Sequence, residues 1–445
     1  MPSPLVTARL TSPQRGAHIP PEAKRAVLIT AAIGFIFLLV PRLTGWVGTH
    51  VHKEDGHVFL ADFLDSGWAS LGEIYSGYLH VFPRLIAGLC ATLPAEAFPT
   101  CVLVSMAGLR VWFFVLAAAV FIAWFPTRWK WAVAAAATFL FFGAGQQEVW
   151  GNITNLRWFG VAIAGIALAA NFRKPGWSIA AGLTAGLAVL ADPIAIGFLP
   201  IAIWRIFAAQ GWARVMPIIY SMSAAPQLAV IRPADRGIAE DSLFDDPFGA
   251  LTQGLVRGIT ASQFGIFGTS AIMLVGGALL AAMAAALPIA VWLLLTRRHR
   301  ARDAGAPLII YLLACGVLTM GATFYFADLT SIALDTWWAP QDASRYSALA
   351  ALFFTPALLL TAGIVLGNAS RWERWLVWTS LAALILSVAL DFRGDPWNTA
   401  GPEWPTTVDS VREQCAAGQD PVTAPITPSG VQIEWEVDVP CDWAR

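Results

Sequence analysis

The sequence predicts an all-α polytopic membrane protein of about eleven transmembrane helices, with interfacial helices in a long first outer loop and a small extracytoplasmic C-terminal tail. Three observations predict it. Of the 445 residues, 57% are hydrophobic and 13% charged, with a mean hydropathy of +0.62; a soluble domain carries about twice that share of charge. Apolar stretches close to the ~20 residues that a bilayer core demands recur along the chain. The basic residues crowd into alternate short loops. This composition excludes a disordered, collagen-like or disulfide-stapled chain and speaks against a soluble globular enzyme. A net charge of -1 gives no sign of a nucleic-acid partner.

In chain order the spans read as Ala26–Val47, Phe98–Phe125, Trp131–Gly145, Trp158–Asn171, Trp177–Ala191, Ile194–Ala209, Val215–Ile231, Phe267–Thr296, Leu308–Phe326, Ser347–Gly367 and Trp375–Leu390. The shorter ones are flanked by Trp and rich in Ala and Gly, which suits interfacial anchoring and close helix packing. The first apolar run is of spanning length and no small-residue cleavage site follows it, so it reads as a span and not as a cleaved leader. With the N-terminus inside, the inner segments collect Arg9, Arg15, Lys24, Arg25, Arg128, Lys130, Arg173, Lys174, Arg205, Arg214, Arg297, Arg298, Arg300, Arg302, Arg371 and Arg374. That bias sets the orientation. Of the acids only Glu22, Asp303 and Glu373 fall inside, so the polar face is the outer one. Residues 1–390 form the transmembrane domain and 391–445 an extracytoplasmic tail.

The long outer segments are 48–97, 232–266 and 391–445, and function gathers on long ordered loops carried by a rigid scaffold. The first contains Lys53-Glu54-Asp55-Gly56 just beyond the first span. Asp-Gly alone is a turn signal. The apolar residues Phe59, Leu60, Phe63, Leu64, Trp68 and Leu71 then form one helical stripe, opposite Asp62, Asp65 and Ser66, as in a helix lying in the membrane interface. Tyr75 to Ile86 reads as a second interfacial element, with Pro83 kinking it or starting a helix. Arg84 within it either meets an anionic partner or snorkels to headgroups.

An acidic pair directly after the first span, followed by two interfacial helices in a long outer loop, resembles the GT-C superfamily of membrane glycosyltransferases. The resemblance covers the topology of roughly the first two hundred residues and the plan of short inner and long outer loops. It implies transfer of a sugar, with inversion, from a polyprenyl-phosphate donor to a glycan or lipid acceptor outside a bacterial cytoplasmic membrane, in cell-envelope assembly. An excess of Arg over Lys, 24 to 4, also suits a GC-rich bacterium. In such enzymes an acid of the first outer loop is the base. Here that implies Asp55, with Glu54 as the adjacent alternative. No cofactor is required. Superfamily members differ in metal use, and the acidic pair with Asp192 can hold a divalent ion or none.

The chemistry needs a carboxylate to take the acceptor's proton and donors to stabilise the departing phosphate. Asp192, in Asp192-Pro193, reads both as a helix N-cap and as a second acid at the outer mouth of the bundle. The loop Gln146 to Trp158 is dense in hydrogen-bonding groups, and Glu148, Asn152, Asn155 and Arg157 are candidates for holding a sugar, beside the plain reading of a solvated loop. His80, Arg84, Arg345 and Tyr346 complete the binding set. Arg345 can reach a lipid phosphate at the interface or pair with Asp342 three residues earlier. Cys90, Cys101 and Cys315 read as small buried hydrophobes. Cys415 and Cys441, both in the outer tail, read as a disulfide. The run Val431–Val439 reads as one strand, capping the tail or binding the acceptor. The competing classes are a lipid or solute transporter or flippase, and a subunit without chemistry. Acids gathered at one face, with spans nearly free of ionisable side chains (Arg110 being an exception), argue against a proton-coupled pump.

Overall fold

The computed structural model describes residues 20–43, 49–231, 247–298, 303–326, 344–392, 400–429 and 434–445. The expected pairing partner Asp342, the outer segment 232–246 and the start of the expected tail strand lie outside these residues.

Helix α1 (Pro21–Leu43) leads to the loop expected to lie outside, described from residue 49. That loop holds a π-helical turn (Asp55–Leu60), α2 (Ala61–Ser66), a 3-10 turn (Gly67–Gly72), a hairpin of β1 (Ile74–Tyr75) and β2 (Tyr78–Leu79), and α3 (Val81–Ala91). The second interfacial element is therefore a hairpin before it is a helix. Ser76 and Gly77 both have positive φ, 51° and 79°, which is the backbone that a two-residue hairpin turn requires. Pro83 lies in the first turn of α3, where its missing N–H costs nothing.

The bundle continues with α4 (Phe98–Trp124), α5 (Trp129–Ala136), the short α6 (Gln146–Val149), α7 (Leu156–Leu168), α8 (Pro175–Ala191), a 3-10 turn (Pro193–Phe198), α9 (Leu199–Ala208) and α10 (Val215–Val230). Then come α11 (Pro247–Gln253), a π-helical stretch (Gly254–Thr260), α12 (Ala261–Ala284), α13 (Ala286–Arg298), α14 (Ala306–Phe326), α15 (Arg345–Val365) and α16 (Arg371–Leu390). Among the described residues five helical stretches are long and apolar enough to cross a membrane: Ala95–Trp124, Pro247–Leu295, Ala306–Thr323, Arg345–Val365 and Arg371–Leu390.

Helix α15 is the axis of the bundle, buried along nearly its whole length between α5, α7, α12, α13, α14 and α16. Helices α8 and α10 approach closely because Gly182 and Gly186 face Ile219 and Ser223; a Cβ there would stand 2.8 Å and 2.6 Å from them. Helix α12 is not one continuous rod. It breaks at Gly265 and again at Gly276–Gly277. At the first break the buried Asp391 carboxylate accepts from the N–H groups of Ile266 and Phe267 at 2.6 Å and 2.8 Å, satisfying donors that the interrupted helix exposes.

The tail comprises α17 (Trp404–Ala416), an antiparallel pair of β3 (Val422–Pro425) and β4 (Glu436–Val439), and the short α18 (Cys441–Ala444). It adds a helix that its Pro-rich composition conceals. Cys415 and Cys441 are bonded, with sulfurs 2.00 Å apart. Cys90 and Cys101, expected as separate buried thiols, are bonded too, tying α3 to the start of α4; Cys315 stays free and buried. Pattern reading took the two cysteines for hydrophobes because they sit in apolar runs, while the turn at Pro94 brings those runs together.

Candidate active site

A cavity of about 280 Å³ opens between the loop 49–97 and one end of the bundle. Its walls come from four distant segments: His52, Lys53 and Glu54 with the hairpin's Tyr75, Ser76 and Tyr78 and the adjoining His80; Glu148, Thr154, Asn155, Arg157 and Trp158; Asp192; and Thr323, Arg345 and Tyr346.

Both arginines face carboxylates. Arg345 binds Glu148 through its guanidinium and donates its backbone N–H to Glu148 Oε2 at 2.9 Å, and Ser344 Oγ donates to the same oxygen at 3.3 Å. Helix α15 thus begins on an anion, where its dipole favours one. Arg157 donates to the Tyr78 hydroxyl and stands over the Trp158 ring at 4.7 Å. Its Nε lies 3.6 Å from Asp192 Oδ2, an ion-pair distance too long for a hydrogen bond, so this buried N–H lacks an acceptor among the described residues. Asp192 caps a turn and also reaches the cavity. Its Oδ1 caps the turn after α8 by accepting from Ile194 N at 2.9 Å, and its carboxylate lines the cavity.

The adjacent acids of the first loop divide. Glu54 lines the cavity, half-buried, and its carboxylate makes no hydrogen bond with the described residues. Asp55 points the other way and does not line it. Its Oδ2 accepts from Ile153 N at 2.9 Å, and its Oδ1 from Thr154 N at 3.0 Å and Thr154 Oγ1 at 2.5 Å. The expected base Asp55 thus lies outside the cavity lining, with its oxygens holding the 153–154 turn. Burial pushes its carboxyl up to about 7, the hydrogen bonds from Thr154 and Ile153 acting in the opposite sense.

Arg84, expected at the same cavity, is instead buried beneath the loop. It binds Asp62 at 2.5 Å, lies 3.8 Å from Glu73, and stands over the Phe59 ring at 5.6 Å. The anionic partner that a buried Arg needs is thus the polar face of α2. Burial raises the Asp62 carboxyl, and Arg84 opposes that rise. Asn152 also misses the cavity. It donates to Glu148 O at 2.7 Å and accepts from Asn155 N at 2.9 Å, shaping the loop from behind. Asn155 lines the cavity and accepts from Trp158 Nε1 at 3.1 Å. His80 Nε2 donates to Tyr75 O at 3.1 Å, with its ring 4.1 Å from that of Tyr78. Tyr346 lies under the Arg345 guanidinium at 4.9 Å.

Sequence reasoning missed Tyr75 and Tyr78 as cavity walls. The Ser76-Gly77 pair between them was the available signal, since it marks a hairpin that turns both rings to one end. Glu54, Glu148 and Asp192 are the carboxylates of the cavity. Two of them are engaged with arginines, and among the described residues no three His, Cys, Asp or Glu side chains come together as metal ligands.

No family model matches the chain, and no curated protein matches it. Among solved structures it is similar to the Archaeoglobus fulgidus oligosaccharyltransferase, crystallised in complex with zinc and sulfate, with a TM-score of 0.41 and 13% identity over 89% of this chain and 56% of that one. The chain therefore spans little more than half the length of that enzyme.

Proposed function

We propose that the protein is a glycosyltransferase of the bacterial cytoplasmic membrane. It crosses the membrane about eleven times with its N-terminus inside, and moves a sugar with inversion from a polyprenyl-phosphate donor to an extracytoplasmic glycan or lipid acceptor. One observation carries the reading: a cavity at the outer ends of the bundle joins Glu54, whose carboxylate is uncommitted among the described residues, to Arg157 and Arg345.

The acceptor hydroxyl attacks the anomeric carbon, and its proton passes to the Glu54 carboxylate. The bond between that carbon and the donor phosphate oxygen breaks, and polyprenyl phosphate leaves. Arg157 and Arg345 are the donors for its developing charge; bidentate guanidinium groups suit phosphate oxygens. Asp192 and Glu148 hold the two arginines until the phosphate competes for them. Tyr75, Tyr78, Trp158 and Tyr346 supply ring faces for the sugar and Asn155 an amide for its hydroxyls.

The test is transfer from radiolabelled polyprenyl-phosphate sugars in membranes carrying the protein or Glu54→Gln. Glu54→Gln is expected to abolish transfer at unchanged protein level. Full transfer by Glu54→Gln would remove Glu54 as the base, and no transfer by the wild type with any polyprenyl-phosphate sugar would remove the reading.

A further inference from the structure

The backbone at the cavity's edge is strained, and the strain has an unexpected neighbour. Lys53, immediately before Glu54, has φ of 25°, a conformation that side-chain-bearing residues rarely adopt. Such a residue keeps its conformation only when its surroundings over-determine it. Two clamps do so here. On the inner side the Asp55 carboxylate is tied to the 153–154 amides. On the outer side the clamp is the C-terminal tail. Lys53 N donates to Thr427 O at 2.8 Å, Thr427 N donates to Val51 O at 2.9 Å, and His52 and Thr427 form a parallel bridge.

The tail is anchored for this role. Trp404 N donates to Thr49 O at 2.6 Å and its indole to Ala95 O at 2.8 Å. The indole of Trp443 donates to Ala91 O at 2.7 Å, and Arg412 pairs with Glu96 at 2.5 Å. His57, just beyond the acidic pair, meets Glu436 O at 2.7 Å. Thr427 itself is fully buried beside Gly401, where an added Cβ would stand 2.7 Å from its Oγ1 and 3.0 Å from its Cα. So the segment farthest along the chain closes on the segment that carries the candidate base.

We infer that the C-terminal tail is a positioning element of the active site: the backbone of Thr427 holds Lys53 in its left-handed turn and thereby aims Glu54 into the cavity. This rests on the reading of Glu54 as base.

The clamp and the aim are tested separately in the full-length protein. Thr427→Pro removes the N–H that binds Val51 O. Gly401→Ala pushes on Thr427 more gently and serves if the proline variant does not fold. In hydrogen exchange, residues 49–57 are expected to lose protection in either variant while α15 keeps its own. Unchanged protection of 49–57 would overturn the clamp, whether or not the protein transfers sugar. In kinetics, Thr427→Pro is expected to lower kcat about tenfold with donor KM within about twofold, because a small misplacement of a reacting group is costly. Lys53→Gly takes the left-handed turn without steric cost. In that background, whose own rate is lower because Lys53 lines the cavity, the Thr427→Pro penalty is expected to shrink to about threefold or less, the sign of two coupled residues. An equal penalty in both backgrounds, or a change in KM alone, would overturn the aim. If the wild type transfers no sugar but protection of 49–57 still falls, the glycosyltransferase reading fails while the clamp stands.

Discussion

Two pairs of arginines do two different jobs. Arg157 and Arg345 line the cavity and meet carboxylates. Arg110 and Arg205 lie inside the bundle and meet backbone carbonyls. Arg110 donates to Phe139 O at 2.9 Å and Leu140 O at 3.2 Å, beneath the ring of Phe159 at 4.4 Å. Arg205 donates to Leu168 O at 2.8 Å, Ala170 O at 2.5 Å and Asn171 Oδ1 at 2.7 Å. Neither forms a salt bridge with the described residues. The carbonyls they bind belong to the 3-10 turn that follows α5 (Ala137–Phe139, capped by Leu140) and to the end of α7 and the residues just after it, so these cations satisfy chain ends within the apolar bundle. The acids divide in the same way: Asp55 and Asp391 are held by backbone N–H groups, whereas Glu54 faces the cavity. An ion tied to the backbone is committed to the fold. An ion facing a side chain of opposite sign across a cavity can exchange that partner for a ligand.

Mutations that cross this boundary should separate activity from stability. The largest effect is expected at Glu54. Removing a positioned general base costs about 10²–10⁴ in rate, so Glu54→Gln should lose nearly all transfer while its thermal unfolding stays like that of the wild type. A next, smaller effect is expected at Arg345. Arg345→Ala should weaken donor use by about tenfold to a hundredfold in kcat/KM, with Lys restoring part of it, because an ammonium keeps the charge but not the fork. Competition by inorganic phosphate or a short-chain polyprenyl phosphate should weaken in parallel. A loss confined to protein yield would place Arg345 with the structural arginines.

Arg110→Met is the converse test. It removes a cation that binds Phe139 O and Leu140 O and leaves those carbonyls without their partner, so lower yield and a lower unfolding temperature are expected. Transfer per folded molecule should match that of the wild type. A selective loss of transfer would break the comparison by giving an interior arginine a part in the chemistry.

The division itself was only partly legible in the sequence. Apolar length and Trp flanks place most helices: Phe98–Phe125 against the observed Phe98–Trp124, and Trp177–Ala191 against Pro175–Ala191, are typical. Glu148, Asp192, Arg157 and Arg345, singled out by residue type in separate loops, do line one cavity. Which of two adjacent acids faces the cavity was not legible, because it depends on a left-handed residue and on a π-helical turn held by amides about a hundred residues away. The break in α12 needed Gly265 and Asp391 to be seen together, since neither alone ends a helix. The tail's place beside Glu54 rests on backbone bonds of Thr427, and backbone bonds between distant segments leave no pattern of residue types.

The smallest expected effect concerns Asp55 and pH. Burial raises its carboxyl from the ordinary value of 3.8 to about 7 in the folded protein. The folded state therefore holds a proton that the unfolded chain has released between those values. Stability contributed by this group is fully present below about 3.8 and is lost as pH rises through about 7. Purified in detergent, the wild type should unfold at a lower temperature at pH 8 than at pH 5. In Asp55→Asn, which cannot titrate there, that difference should shrink by a few degrees or less, given the size of the chain. At pH 8 Asp55→Asn should also unfold earlier than the wild type, because an amide presents one acceptor oxygen to the three donors that two carboxylate oxygens satisfy there. Parallel curves for the two proteins would show that Asp55 titrates alike folded and unfolded. Loss of transfer in Asp55→Asn without any loss of stability would move Asp55 from the ions of the fold to the ions of the cavity.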